Sequence, residues 1–432
     1  MTADIAVLAY TRIHDVHDHA ALSIGRVAAF LLGLSFFCWA HLTISRQPFP
    51  GSPASHDIGL YAAPVIAMFA IVAAWRNVRL VDSRVVIAGG LLWVLACVAT
   101  SRGALDPALA LSWTVSLVVA LCLILAGVDR RAMAAAMAIG VAASLPVMLF
   151  QVAAQTTWPA ATIQGWAGGE LSPAVKGAAV LGEQRWLRPY GLMPHPNIAG
   201  GIAAIACVLL ASVWLREGRL WQLLSVAAAF SETLLSFSRS AWIGAICGLA
   251  VLAFVRRGDL RGLSLALILP GLLFACLFGG LVLQRVQASG TLEDNSLSQR
   301  VYLVQTALLF WRQHPLAGIG PAQFSQAEVD LYGQAFIPEP VHNAVFLVLA
   351  ETGSVGLLGA ALVVVGVAGR VVRAREWETL AAGLAVLSPL MLDHYFMTFS
   401  TGLILVAAML ACSMPAASAG HKNRLPLPVR TV

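Results

Sequence analysis

Charge is scarce in this sequence. Only 11% of its 432 residues are charged, 59% are hydrophobic, and the mean hydropathy is +0.81. A soluble domain carries about 25% charged residues, so a water-facing surface of this size could not be covered, and a soluble Rossmann or barrel enzyme is excluded. Lysine is rarer still: Lys176 and Lys422 stand against 27 basic residues in all. With no basic tract, the formal charge of +6 does not point to nucleic acid. The seven cysteines (Cys38, Cys97, Cys122, Cys207, Cys247, Cys276 and Cys412) all fall in apolar segments, which argues against a structural disulfide or a cysteine metal site.

Several catalytic signatures are also missing. There is no HExxH, no Walker loop, no GxSxG, and no Asp-x-Asp pair in the long polar segments to hold a divalent cation. The expectation is chemistry without a bound metal and without a cofactor.

What the sequence does have is apolar runs along almost its whole length. Windows of roughly 20 residues predict an all-α polytopic membrane protein, a single integral domain over 1–432 with about twelve helices. They fall at 21–41, 58–75, 85–100, 108–127, 133–154, 198–215, 221–237, 241–255, 263–283, 343–369, 380–395 and 398–412. Arginines mark every second connection: Arg76, Arg79 and Arg84; Arg130 and Arg131; Arg216 and Arg219; Arg256, Arg257 and Arg261; Arg370, Arg373 and Arg375. By the positive-inside rule these connections and both termini are cytoplasmic. Two long polar segments, 155–197 and 284–342, then lie on the outer face, and the chemistry is expected there.

The longer outer segment has helical periodicity. Val301, Val304, Leu308 and Trp311 fall on one side of a helix spanning 298–313, with Asn295, Ser296 or Ser298 as its cap and Pro315, Gly318 and Gly320 as its stop. A second short helix is expected over 322–331.

Outer arginines run against the topology bias. Arg46, Arg102 and Arg285 read as interfacial anchors, but Arg185, Arg188, Arg239 and Arg300 sit in polar strings beside span ends. Converging guanidinium groups suit a diphosphate, because each offers two parallel hydrogen bonds and keeps its charge. Any one of them also fits a plain headgroup anchor or a partner for Glu170, Glu183 or Asp294. Gln299 adjoins Arg300 as a polar neighbour.

Three further strings stand at outer span ends. His195-Pro196-Asn197 is followed by Gly200 and Gly201, small residues that permit close helix contact; there, a loop-holding role for His195 stands beside a catalytic one. His342-Asn343 opens the tenth span, with Glu351 about two turns deeper and Gly353 and Gly356 beyond. A neutral imidazole at the water interface is a natural proton acceptor, although an interfacial histidine satisfied by solvent has the same spacing. Glu351 at that depth must face the interior, protonated, paired with arginine or bonded to a helix end. Asp393-His394-Tyr395 near the outer end of the eleventh span is either a support for the site or a polar turn.

Taken together, Arg188-Pro189-Tyr190-Gly191 running into His195-Pro196-Asn197, Ser238-Arg239-Ser240, Arg300 with Trp311, Pro315, Gly318 and Gly320, and His342-Asn343 with Glu351, Gly353 and Gly356 resemble the O-antigen ligase/polymerase superfamily. The resemblance runs from Trp186 to Leu358. It implies a glycosyltransferase of the GT-C type in the bacterial inner membrane, with its active site facing the periplasm. The donor would be a polysaccharide on undecaprenyl diphosphate. In a lipid A-core:surface polymer ligase the acceptor is a hydroxyl of the lipid A-core oligosaccharide of lipopolysaccharide; in a polymerase it is a second lipid-linked unit.

On that reading His342, Arg188 and Arg300 carry catalysis, while Arg185, Arg239, His195, Asn197, Gln299, Asn343 and Glu351 bind diphosphate or glycan. Direct displacement with inversion is expected, because no carboxylate pair offers a covalent intermediate. A secondary transporter with about twelve spans is the rival class; it would place polar sites at the midplane, whereas here they collect at outer span ends.

Overall fold

The computed structural model describes residues 24–37, 41–44, 58–74, 83–156, 178–181, 184–255, 260–287, 292–333 and 339–412. The chain is a helical, multi-pass membrane protein. Its helices are α1 (Ile24–Ser35), α2 (Ala62–Ala74), α3 (Arg84–Ser101), α4 (Pro107–Ala126), α5 (Arg130–Ala154), α6 (Pro196–Glu217), α7 (Leu220–Leu235), α8 (Arg239–Val255) and α9 (Arg261–Gln287). They continue as α10 (Leu292–Gln313), α11 (Phe324–Tyr332), α12 (Ala344–Ala374), α13 (Trp377–Leu390), α14 (Tyr395–Thr398) and α15 (Ser400–Cys412). Six of them, α3, α4, α5, α6, α9 and α12, are long and apolar enough to cross a membrane, and α1, α2, α7, α8, α13 and α15 are shorter apolar helices.

Each expected span falls on one of these helices, with shifted ends. The run 380–395 stops at Leu390, where Pro389 closes the last turn and 391–394 form a bend. The run 58–75 begins as a strand: β1 (His41–Ile44) pairs antiparallel with β2 (Ile58–Tyr61), and β3 (Ala178–Leu181) pairs with β4 (Gln184–Leu187). These two hairpins are a small correction to an all-helical expectation.

At the centre stands α6, where every residue from Ile198 to Val213 is buried. Helices α5, α7, α8 and α13 pack around it. Without water to drive apolar surfaces together inside a bilayer, close approach of small residues does the work. On α8, Gly244 and Gly248 lie against the backbone carbonyls of Ala385 and Ala381 on α13; a Cβ there would sit 2.9 and 3.0 Å from those oxygens. Gly89 of α3 and Gly359 of α12 meet in the same way, each 2.6 Å from the other's carbonyl once given a Cβ. The glycine pair of α6 is used likewise, Gly200 against Ser236 and Gly201 against the Phe396 ring.

Helix α12 is broken at Gly353, whose φ of 65° and ψ of −170° interrupt the helical ladder. The loop after α10 fills the gap. Ile319 and Gly320 donate their N–H groups to the carbonyls of Ala350 and Glu351 (3.0 and 2.9 Å), and Ser354 and Val355 donate to Pro315 and Leu316 (2.9 and 3.1 Å). Backbone groups freed by a kink must be satisfied inside the protein, and this exchange does so. A side chain at Gly318 would collide with the backbone of Glu351, and one at Gly353 with that of Leu316.

The face of α10 packed into the protein lies beside the Val301, Val304, Leu308 and Trp311 stripe. Leu303, Thr306, Ala307 and Phe310 point inward, while Val301 is 54% exposed and Val304 only partly covered. Trp311 donates its indole N–H to Ser354 (3.0 Å). The helix is clamped by α12 and by Phe324 of α11, whose ring meets Phe310 at 5.4 Å, and these partners set its rotation.

Candidate functional site

One end of the bundle gathers the start of α6, the turn between α7 and α8, the start of α12, and the 391–399 segment. The positioning begins with Gln151 on α5, fully buried in an otherwise apolar helix. Its side-chain oxygen accepts the N–H groups of Tyr190 and Gly191 (both 2.9 Å) and its amide donates to the Gly191 carbonyl (3.0 Å). Gly191 has a positive φ of 60° and lies directly on Ser144, so no other residue fits. The turn so fixed holds Arg188.

The Arg188 guanidinium donates to the Ser236 carbonyl (3.0 Å) and to the Asn197 side-chain oxygen (2.6 Å). Ser236 ends α7, and Phe237 follows in the left-handed region at φ 50°, its ring packed on Phe274 and Phe278 of α9. That sharp turn carries the carbonyl toward Arg188 and starts α8 at Arg239, whose side chain is exposed. On its other side the Asn197 amide donates to an Asp393 carboxylate oxygen (2.8 Å). Arg188, Asn197 and Asp393, far apart in sequence, therefore form one hydrogen-bonded chain.

His195 caps α6, its Nδ1 accepting the Asn197 N–H at 3.1 Å. Burial, then Arg188 and His342, push its pKa down to about 3, so the ring is neutral. With Nδ1 accepting, the proton sits on Nε2, which faces the Tyr395 hydroxyl at 3.3 Å. The role of His195 in the fold is thus a cap and a brace for Tyr395.

His342, His394 and Tyr395 continue the cluster. The rings of His342 and His394 meet edge to face at 5.0 Å, and those of His394 and Tyr395 lie 4.3 Å apart. His394 Nδ1 is engaged with Thr398 at 2.9 Å. In His342, Nδ1 is buried and has no hydrogen-bond partner among the described residues. Burial and the nearby Arg300 lower the His342 pKa to about 4, which keeps the imidazole neutral and able to accept a proton. Asp393 is pushed up to about 6 by burial, against the opposing pull of the His394 N–H, Asn197, Arg300 and Arg188. Both arginines are therefore close enough to act on this carboxylate.

Asn343 caps α12 through the N–H groups of Val345 and Phe346 (2.9 and 3.3 Å) and donates to the Met391 carbonyl (2.9 Å), tying the α12 start to the end of α13. Gln299, exposed beside Arg300, donates to Glu339 at 3.1 Å. Glu351 is buried and turned to the start of α11, accepting the Phe324 N–H at 3.1 Å together with the N–H groups of Ala322 and Gln323. A carboxylate at a helix N-terminus is favoured by the dipole and the orphan donors there. Arg185 lies in β4, and its side chain is outside the described residues, as are Glu170, Glu183 and Cys38. The six described cysteines are free thiols.

His342, Asp393 and His394 present donor atoms within 4.8 Å of one another, a spacing a metal ion could bridge. The electrostatics oppose it, because Arg188 and Arg300 act at the same carboxylate. A site flanked by two guanidinium groups favours an anion. Chemically the arrangement offers an imidazole, two arginines and a hydrogen-bonded carboxyl gathered at one end of the bundle.

Gln151 and Ser236 were not singled out by sequence reasoning. A lone glutamine in an apolar span was a readable signal for the first; a backbone carbonyl leaves none.

A comparison with curated proteins gives no significant match. Residues 224–361 match the family model described as O-antigen ligase. The matched stretch holds Arg239, Gln299, Arg300, the 315–320 loop, His342, Asn343, Glu351 and the Gly353 break, whereas Arg188, His195, Asn197 and Asp393 lie outside it. The segment that runs from within α7 into α12, and with it the His342 and Arg300 half of the site, is similar to the O-antigen ligase family.

Proposed function

We propose that the protein is an O-antigen ligase of the bacterial inner membrane, with about twelve spans in a GT-C-type arrangement and both termini cytoplasmic. Its segments 155–197 and 284–342 then face the periplasm, and the recess at that end is the active site. The donor is a polysaccharide on undecaprenyl diphosphate and the acceptor a hydroxyl of lipid A-core oligosaccharide. The observation that carries this reading is a partly buried His342 whose Nδ1 has no hydrogen-bond partner among the described residues, in a cluster where Arg300 and Arg188 both act on the Asp393 carboxyl.

The chemistry follows from that pairing. No nucleotide supply is needed, because the lipid diphosphate is already an activated leaving group. Arg188 and Arg300 stabilise the charge that develops on it as the glycosidic bond breaks. His342 takes the proton of the acceptor hydroxyl as that oxygen attacks the anomeric carbon from the opposite face, giving inversion. Asn197 and Asp393 hold Arg188 in place, and Arg185, Arg239 and Gln299 extend the polar rim toward phosphate and glycan. Asn343 and Glu351 act through the helix starts they fix.

Deletion of the gene tests the acceptor. Lipopolysaccharide should stop at the core while long glycan chains accumulate on undecaprenyl diphosphate. Single repeat units on the core, with no long chains on either lipid, would instead make the protein a polymerase built on the same site.

A further inference from the structure

Outside the arginine recess, α10 and α11 present a second cluster of a different kind. Gln299, Tyr302 and Thr306 recur at helical spacing on one face of α10, and Glu328 and Tyr332 stand one turn apart on α11. The rings of Tyr302 and Tyr332 meet at 5.4 Å and 52°, the Tyr332 hydroxyl lies 3.3 Å from that of Thr306, and Tyr332 is 43% exposed. Beneath them Glu328 is fully buried. One of its oxygens accepts the Glu339 N–H at 3.1 Å, while the other, Oε1, has no hydrogen-bond partner among the described residues. Glu339 in turn accepts from Gln299.

The cluster adjoins the recess on two sides. Gln299 precedes Arg300, and Glu339 lies three residues before His342 and is close enough to raise the pKa of Tyr395. Its chemistry is complementary to that of the arginines. Carboxylates repel a diphosphate, but a carboxylate and an amide together accept from and donate to vicinal hydroxyls. A tyrosine face covers the apolar C–H face of a pyranose. The buried Glu328 beneath the tyrosines accepts the Glu339 N–H and so fixes where the Glu339 side chain stands.

We infer that Gln299, Tyr302, Tyr332 and Glu339, supported from beneath by Glu328, form a saccharide subsite that holds a sugar ring next to the reacting bond. The inference rests on the glycosyl-transfer reading. The sugar comes either from the donor glycan or from the acceptor oligosaccharide, which share this chemistry.

Steady-state transfer by the purified full-length protein, with each substrate varied in turn, tests the subsite in Tyr332→Ala, Tyr332→Phe, Gln299→Ala and Glu339→Gln. Tyr332→Ala and Gln299→Ala should raise KM about tenfold for one substrate, more than they lower kcat, equivalent to about 1.4 kcal/mol. Tyr332→Phe, which keeps the ring, should lose less than Tyr332→Ala. A rise confined to the donor assigns the ring to the lipid-linked glycan, and one confined to the acceptor assigns it to the core sugar. Saturation-transfer NMR with delipidated core oligosaccharide and with released repeat-unit glycan gives a readout independent of catalysis: one of them should contact the wild-type protein and lose that contact in Tyr332→Ala. If the wild type transfers glycan and all four variants keep both KM values, the subsite is wrong and the transferase reading stands. If the wild type transfers nothing yet shows a Tyr332-dependent oligosaccharide contact, the subsite stands and the transferase reading falls.

Discussion

The two ends of the bundle use arginine in opposite ways. At the end away from the site, guanidinium groups meet carboxylates directly: Arg130 and Arg216 share Glu376 (3.2 and 2.8 Å), Arg216 also bonds Glu378, and Arg131 and Arg219 hold Glu217 (2.7 and 3.4 Å). Burial alone would raise Glu376, but Arg130 and Arg216 outweigh it and hold its carboxyl below the usual range. At the site end Arg188 bonds a backbone carbonyl and an amide oxygen, and Asp393 stands behind that amide. The first pattern ties helix ends together through ion pairs; in the second, a backbone carbonyl and an amide oxygen, both neutral, help to position the guanidinium.

The largest effect should come from His342. Replacing it with alanine should lower glycan transfer by about 10² to 10⁴, the contribution of a positioned base, while the protein still inserts and folds. Near-normal transfer would remove His342 from the reaction. The base works when deprotonated, and its pKa is lowered from 6.5 to about 4. The acid limb of the pH–rate profile in the wild type should therefore lie below pH 5, where an unperturbed histidine would already have lost most activity at pH 6. The same shift costs stability in acid, since the unfolded chain takes up protons below about pH 6.5 before the buried ring does.

Next come Arg188→Lys and Arg300→Lys. Each keeps charge and loses the planar two-pronged geometry, so a loss of about 10²-fold in kcat is expected from a misplaced transition-state contact. For Arg188 the lysine also lacks the two separate nitrogens that reach Ser236 and Asn197. Normal transfer in both variants would erase the distinction between the two ends. The smallest effect on activity is expected at the far end. Arg216→Ala removes a cation bonded to the buried Glu378 and should lower stability by about 1 to 2 kcal/mol, discounted because Arg216 is itself 39% exposed. A thermal-shift assay should detect that loss while kcat per folded molecule stays near the wild type.

The contrast between the ends was only half legible in the sequence. Long apolar runs with arginines at alternate connections place the helices, because burial in a bilayer acts on composition and length. The strings around His195, His342 and Arg188 are readable because polar residues at span ends are rare. What unites them is not: Asn197 reaches Asp393 across 196 residues, and Gln151 reaches the 190–191 turn from another helix. Periodicity marks the apolar stripe of α10, but the packing of the α12 break and the 315–320 loop decides that Leu303, Thr306, Ala307 and Phe310 are the residues turned inward. Nothing local in Gly318 or Gly353 announces that the segments flanking them will exchange hydrogen bonds.

Transfer by the purified protein in detergent, from undecaprenyl-diphosphate-linked glycan to lipid A-core in excess EDTA, tests most directly whether the arginine end is a site for a diphosphate leaving group. With Arg188 and Arg300 supplying the charge, product should form at the rate seen without chelator, and detergent leaves no compartments for a transporter to act between. Loss of product restored by Mg²⁺ or Mn²⁺ would contradict this, and would make His342, Asp393 and His394 a metal site instead of a base and its supports.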